Sequence, residues 1–196
     1  MQSLNHTFPL ALFVATIVAP NAIAEDFYVE GTVGQSSFDF RAIESHEYTM
    51  IGIRAGKNLT QYLAIEGEYS FGASEVSRTF EGLDTIQGNK ISGDATQKLN
   101  AAYGVFGKAT LPLMNNFTAH ARVGYATTER EGEAKVTFED GTVENRTYED
   151  IDPGLAYGVG TTFSFSDKIY MRADATRYQA FDTDIEAYTI GAGLRF

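Results

Sequence analysis

The chain has 196 residues and a formal net charge of -11, with no cysteine or tryptophan, 4 prolines, 19 glycines, 11 tyrosines and 14 phenylalanines. That length allows one domain and a leader. A chain without thiols has no disulfide framework, thiolate metal site or cysteine nucleophile, and its acidic balance argues against nucleic acid and against simple adsorption to anionic membranes. No stretch approaches the roughly 20 apolar residues that a membrane helix requires, so any spanning falls to strands.

In chain order, Phe8 to Ala19 is a short apolar run, followed by Pro20-Asn21 and by Ala22-Ile23-Ala24 before Glu25-Asp26. A short apolar core with a small-x-small exit predicts a secretory leader over 1–24 and a mature domain over 25–196. The opening MQSLNHT departs from that pattern by lacking Lys and Arg.

From Phe27 onward the residues alternate with the period of two that an extended chain imposes. Phe27, Val29, Gly31 and Val33 oppose Tyr28, Glu30, Thr32 and Gly34; Ile51, Ile53 and Ala55 oppose Gly52, Arg54 and Gly56. Leu63, Ile65, Gly67, Tyr69 and Phe71 oppose Ala64, Glu66, Glu68 and Ser70. The fourth run sets Leu99, Ala101, Tyr103, Val105, Ala109 and Leu111 against Asn100, Gly104, Phe106 and Lys108. In the fifth, Phe117, Ala119, Ala121, Val123 and Tyr125 oppose Thr118, His120, Arg122 and Gly124. The sixth and seventh place Leu155, Tyr157, Val159, Phe163 and Phe165 against Ala156, Gly158, Gly160 and Thr162, then Ile169, Met171, Ala173 and Ala175 against Tyr170, Arg172, Asp174 and Thr176. The eighth closes the chain, with Tyr188, Ile190, Ala192, Leu194 and Phe196 on one face.

Runs of about nine to eleven residues suit tilted membrane strands, and an even count suits closure. The connections alternate too. Asn58 to Tyr62, Pro112 to Asn116 and Ser166 to Lys168 are tight, whereas Ser36 to Glu47, Phe71 to Lys98 and Thr128 to Pro153 are long. The predicted fold is therefore all-β: an eight-stranded antiparallel up-and-down transmembrane β-barrel with short periplasmic turns and long extracellular loops.

Periodicity alone does not say which face is inside, because a soluble carrier of the lipocalin kind has the same alternation inverted. Two observations favour lipid outside. The polar face carries four acids and four bases, Glu30, Glu66, Glu68 and Asp174 with Arg54, Lys108, Arg122 and Arg172. Such neutrality is required when charges are enclosed together and not when they face water. With the strands laid up and down, Phe27, Phe117, Phe163, Phe165 and Phe196 fall at the short-turn end and Tyr69, Tyr125, Tyr157 and Tyr188 at the other, as two interfacial girdles would.

The Thr128 to Pro153 segment holds nine acids and three bases, and Asp140-Gly141 at its centre predicts a hairpin turn that extends the two flanking strands above the membrane. Glu139, Asp140, Asp182 and Asp184 are candidate loop contacts. They could bridge to lipopolysaccharide phosphates through divalent cations or dock a basic protein, although no Asp/Asn spacing matches a calcium loop. No cofactor and no metal site are read. The two mature histidines, His46 and His120, have no local motif tying them to a nucleophile.

The stretches NLTQYLAIEGEYSFG, LAYGVGTTFSFSDKIYMRADATRY and YTIGAGLRF resemble the eight-stranded outer-membrane barrels of the OmpA-like and OmpX/opacity-protein superfamily. The resemblance implies a bacterial outer-membrane location, lipid and lipopolysaccharide as surroundings, periplasmic chaperones and the barrel-assembly machinery as partners, and a monomer. It also implies that Tyr188, Ile190, Leu194 and Phe196 form the C-terminal assembly signal. The peptidoglycan-binding domain of the OmpA class proper is not expected here. The implied role is structural and surface-interacting; a lipid A-modifying enzyme and a narrow gated channel are the alternatives.

Overall fold

The computed structural model describes residues 26–40, 43–83, 90–179 and 184–196. The leader expected over 1–24 and Asp182 among the loop acids lie outside the described residues. Nine strand segments follow one another: β1 (Phe27–Phe40), β2 (Ile43–Asn58), β3 (Leu63–Gly72), β4 (Glu75–Leu83), β5 (Lys90–Met114), β6 (Phe117–Phe138), β7 (Val143–Ser164), β8 (Ile169–Gln179) and β9 (Asp184–Arg195). Because β3 and β4 both pair with β5, they are two lengths of one barrel strand interrupted at Ala73-Ser74. The result is a ring of eight, antiparallel throughout.

Closure can be followed residue by residue. Starting from Tyr28, the pairing runs through Gly56, Glu66, Phe106, Gly124, Ala156, Tyr178 and Ile185 and returns to β1 at Phe38, ten positions beyond its start. An offset of this kind is the stagger that tilted strands need to close. At the seam β1 pairs with β9 from Tyr28↔Arg195 to Phe38↔Ile185, and the Phe196 amide donates to the Phe27 carbonyl at 2.9 Å. No sheet edge is left open at membrane depth, where an unpaired backbone group would cost several kcal/mol.

The barrel is inside out. Leu63, Ile65, Val123 and Phe163 are between 44% and 55% exposed, whereas Glu66 is 0% and Arg122 2% exposed. Tyr69, Tyr103, Tyr125, Tyr157 and Tyr188 stand on the outer wall toward one end, and Phe27, Phe163, Phe165 and Phe196 toward the other.

Two expectations need correction. The segments Ser36 to Glu47 and Phe71 to Lys98 are not mainly loop: β1 and β2 extend to Phe40 and Ile43, and β4 and β5 fill most of the second, whereas Thr128 to Pro153 forms the expected hairpin extension of its flanking strands, β6 and β7. A strand crosses hydrocarbon in roughly nine to eleven residues, so β5 with 25 residues and β6 and β7 with 22 each project well beyond it. At the tip of the β6–β7 hairpin, Gly141 has φ +84°, the Thr142 amide donates to the Asp140 carboxylate at 2.8 Å, and the Phe138 amide to the Thr142 carbonyl at 2.9 Å. A left-handed residue is what this tight reversal demands, and glycine supplies it without strain.

The second correction concerns the fourth run. Leu99 and Ala101 were expected toward lipid and Asn100 toward the lumen, but Leu99 and Ala101 are buried and Asn100 is exposed. The β5–β6 register slips by one between Leu99 and Ala101, a bulge that reverses the alternation above it.

Candidate functional site

The lumen is built in three layers. At the short-turn end, Tyr28 and Tyr170 meet edge to face with ring centroids 6.3 Å apart, and the Arg195 guanidinium lies 4.5 Å from the Tyr170 centroid. Each ring crosses a glycine on the neighbouring strand. A β-carbon on Gly56 would overlap Tyr28, and one on Gly193 would overlap Tyr170.

Above them sits the ion set. The structure brings together all eight of the charged residues singled out on the polar face, from six different strands. Arg54 reaches Glu30 at 2.6 Å, Asp174 at 3.1 Å and Glu68 at 3.3 Å. Glu66 is 2.5 Å from Arg172, 2.9 Å from Lys108 and 3.7 Å from Arg122. Arg122 also contacts Glu68 at 2.5 Å, and Arg172 contacts Asp174 at 2.8 Å. Tyrosine hydroxyls fill further acceptor positions: Tyr28 donates to Glu66 at 2.5 Å, Tyr178 to Glu68 at 2.7 Å and Tyr170 to Glu30 at 3.2 Å. The Arg122 guanidinium lies 3.7 Å from the centroid of the Phe106 ring, a cation–π contact between two buried side chains.

Enclosed charges of this kind are tolerable only when paired and hydrogen-bonded. Four acids against four bases meet the pairing, while Arg122 Nε and Nη1 make no hydrogen bond and the guanidinium lies over the Phe106 ring instead. His120 enters the set through Asp174, at 2.7 Å. For His46 the structure places only the backbone, opposite Phe38 near the top of β2.

The third layer was not anticipated. Tyr48, Met50, Leu99, Ala102, Phe106, Ala126, Ala156, Tyr178, Ile185 and Ala187 form an apolar cluster inside the barrel on the long-connection side of the ions. Tyr48 and Met50 continue the alternation of Gly52 and Arg54, so this signal was present in the sequence. The ion set is thereby enclosed between tyrosines below and hydrocarbon above.

Of the loop acids, Glu139 and Asp140 occupy the β6–β7 tip, and Asp184 starts β9, 2.5 Å from Arg177. Asp140 is held below the ordinary aspartate range by the Thr142 amide. Among the described residues, no group of three or more acidic or histidine side chains is arranged to hold a metal ion. The terminal residues Tyr188, Ile190, Leu194 and Phe196 share the outer face of β9 and its end.

A closed eight-strand ring with an apolar exterior and a neutralised interior matches a family description that spans residues 8–196: the outer membrane protein beta-barrel domain. The chain belongs to that family. As a member it is a bacterial outer-membrane protein, and solved structures agree on the fold. Ail, the attachment invasion locus protein of Yersinia pestis, matches at TM-score 0.53 with 18% identity, over 88% of this chain and 99% of that one. Neisserial surface protein A matches at 0.53 with 10% identity, over 87% and 97%. The outer membrane protein OprG of Pseudomonas aeruginosa matches at 0.52 with 14% identity, over 88% and 96%. No protein of curated function matches in sequence. At such identities the likeness concerns the barrel and not the task.

Proposed function

We propose that this outer-membrane barrel is a closed structural element of the envelope that carries a surface-interaction platform, the projecting sheet β4 to β7. The observation that carries the proposal is the three-layer lumen. Each of its ions is paired with an opposite charge, and the set lies between an apolar layer and a tyrosine pair, a packing that supports a closed interior. With about eight strands, side chains of the barrel alone suffice to fill its interior. A channel would need that packing to open, and a lipid A-modifying enzyme would need a base on the lipid-facing wall, whereas His120 is buried inside the lumen.

The platform is acidic at its tip and along β7, through Glu139, Asp140, Glu144, Glu149, Asp150 and Asp152. Ail has been solved in complex with the heparin analogue sucrose octasulfate. Here the charge has the opposite preference, and a basic protein surface is the fitting partner. Surrounding lipopolysaccharide, periplasmic chaperones and the assembly machinery follow from the outer-membrane setting, and the barrel is proposed to act as a monomer after removal of residues 1–24.

The test replaces residues 131–150 with a short turn in cells that display the protein. Envelope resistance to detergent should be retained while attachment of basic partner proteins is lost. Loss of detergent resistance in step with attachment, or a change in the mass spectrum of lipid A when the full chain is removed, would contradict the proposal.

A further inference from the structure

The bulge in β5 also reshapes the outer wall. Just below it, odd positions such as Tyr103 and Val105 point outward and even positions such as Ala102 and Phe106 inward. The extra residue reverses this, so Lys98 and Asn100, rather than Leu99 and Ala101, follow Tyr103 on the exterior. Bulges are a recognised way of re-aiming side chains.

The side chains so gathered form a compact set. Tyr103 lies nearly parallel to Tyr69 on β3, with centroids 6.5 Å apart and planes at 16°, and both rings remain more than a third exposed. The Tyr103 hydroxyl donates to Glu129 at 3.0 Å, the Asn100 amide to Glu131 at 3.2 Å, and the Lys98 ammonium stands 3.0 Å from Glu131. Tyr69 and Tyr103 stand within the tyrosine girdle, the level at which acyl chains give way to headgroups, and the polar members rise above it along β5 and β6.

An acyl chain would use the rings and leave the amide and carboxylates without purpose. A bare phosphate would meet two carboxylates against one ammonium, the wrong balance. A sugar ring fits both halves: its C–H face lies against an aromatic face, and its hydroxyls give to carboxylate oxygens and accept from amide and ammonium. We propose that Tyr69, Tyr103, Asn100, Lys98, Glu129 and Glu131 bind a sugar of the lipopolysaccharide headgroup in the outer leaflet. This rests on the outer-membrane setting above and identifies where the barrel grips its surroundings.

The experiment reconstitutes wild type, Tyr103→Ala, Asn100→Ala and the lipid-facing control Leu111→Ala, then counts lipids retained on each barrel by native mass spectrometry. The probes are lipopolysaccharide and phosphatidylglycerol, which lacks sugar. Wild type and Leu111→Ala should prefer lipopolysaccharide. Tyr103→Ala should lower its retention by about five- to tenfold, the loss of one aromatic contact, with phosphatidylglycerol unchanged, and Asn100→Ala should act in the same direction. Equal losses for both lipids, or none, would overturn the sugar site. Folding is checked separately by the heat-dependent gel mobility of intact barrels. A wild type that folds into neither lipid would count against the outer-membrane setting and not against the patch alone.

Discussion

Tyr28 on β1 donates its hydroxyl to Glu66 on β3 at 2.5 Å although β2 lies between them. Gly56 of β2 pairs with both residues, and its missing side chain is the space the Tyr28 ring crosses. Lys108 reaches the same hydroxyl at 2.8 Å, so one glycine permits a three-strand link at the periplasmic end of the ion set. Tyr28→Phe should cost about 1.5–3 kcal/mol, the worth of a hydrogen bond to a charged group. Gly56→Val should cost at least as much by displacing the ring. Urea unfolding in lipid vesicles measures both.

Glu66 faces Arg172, Lys108 and Arg122. Glu66→Ala leaves buried cations uncompensated and should destabilise the barrel by about 3–5 kcal/mol. Adding Lys108→Met should recover part of that loss by restoring neutrality, three acids against three bases, among the remaining charges. A double mutant no more stable than the single one would show that charge balance is not what the lumen requires.

Much of this was legible because a membrane strand has a period of two and the lumen strands keep it: Glu66 and Glu68, Arg122, Arg172 and Asp174 all lie where the alternation puts them. The bulge at Asn100 was not, since an extra residue shows only against the register of the partner strand β6. The β6–β7 part of the projecting sheet was legible from Asp140-Gly141; the β4–β5 part was not, since Ser77, Thr79 and Glu81 on β4 and Ser92, Asp94 and Thr96 on β5 give a weak alternation beside Leu63 and Ile65. The apolar layer was legible in Tyr48 and Met50 but was masked by the expectation of a polar lumen.

The Lys98–Glu131 pair gives a pH-dependent signature. The Lys98 ammonium and then the Asn100 amide hold the Glu131 carboxyl below the ordinary glutamate range. A carboxyl depressed in the folded state contributes stability at pH above its unfolded value, and that contribution is lost as pH falls through the folded value. Carboxyl carbon NMR of the micelle-bound barrel should show Glu131 titrating low, and Lys98→Met should move it upward. An unmoved titration would show that the pair does not persist in solution.

Placement in the bilayer predicts a depth profile for arginine. Val123→Arg, on the outer wall between the girdles, should cost about 2–4 kcal/mol, and Thr127→Arg, nearer the headgroups, about 0–1 kcal/mol. Equal costs at the two positions would be inconsistent with hydrocarbon contact at Val123. Unfolding from vesicles of defined thickness reads the difference.

The closed lumen is tested most directly by single-channel recording of the purified wild-type barrel in a planar lipid bilayer at neutral pH. A silent membrane is predicted for as long as the tyrosine pair, the ion set and the apolar layer stay packed. Reproducible unitary current steps from the wild-type protein would contradict the closed barrel and establish a conducting path through it.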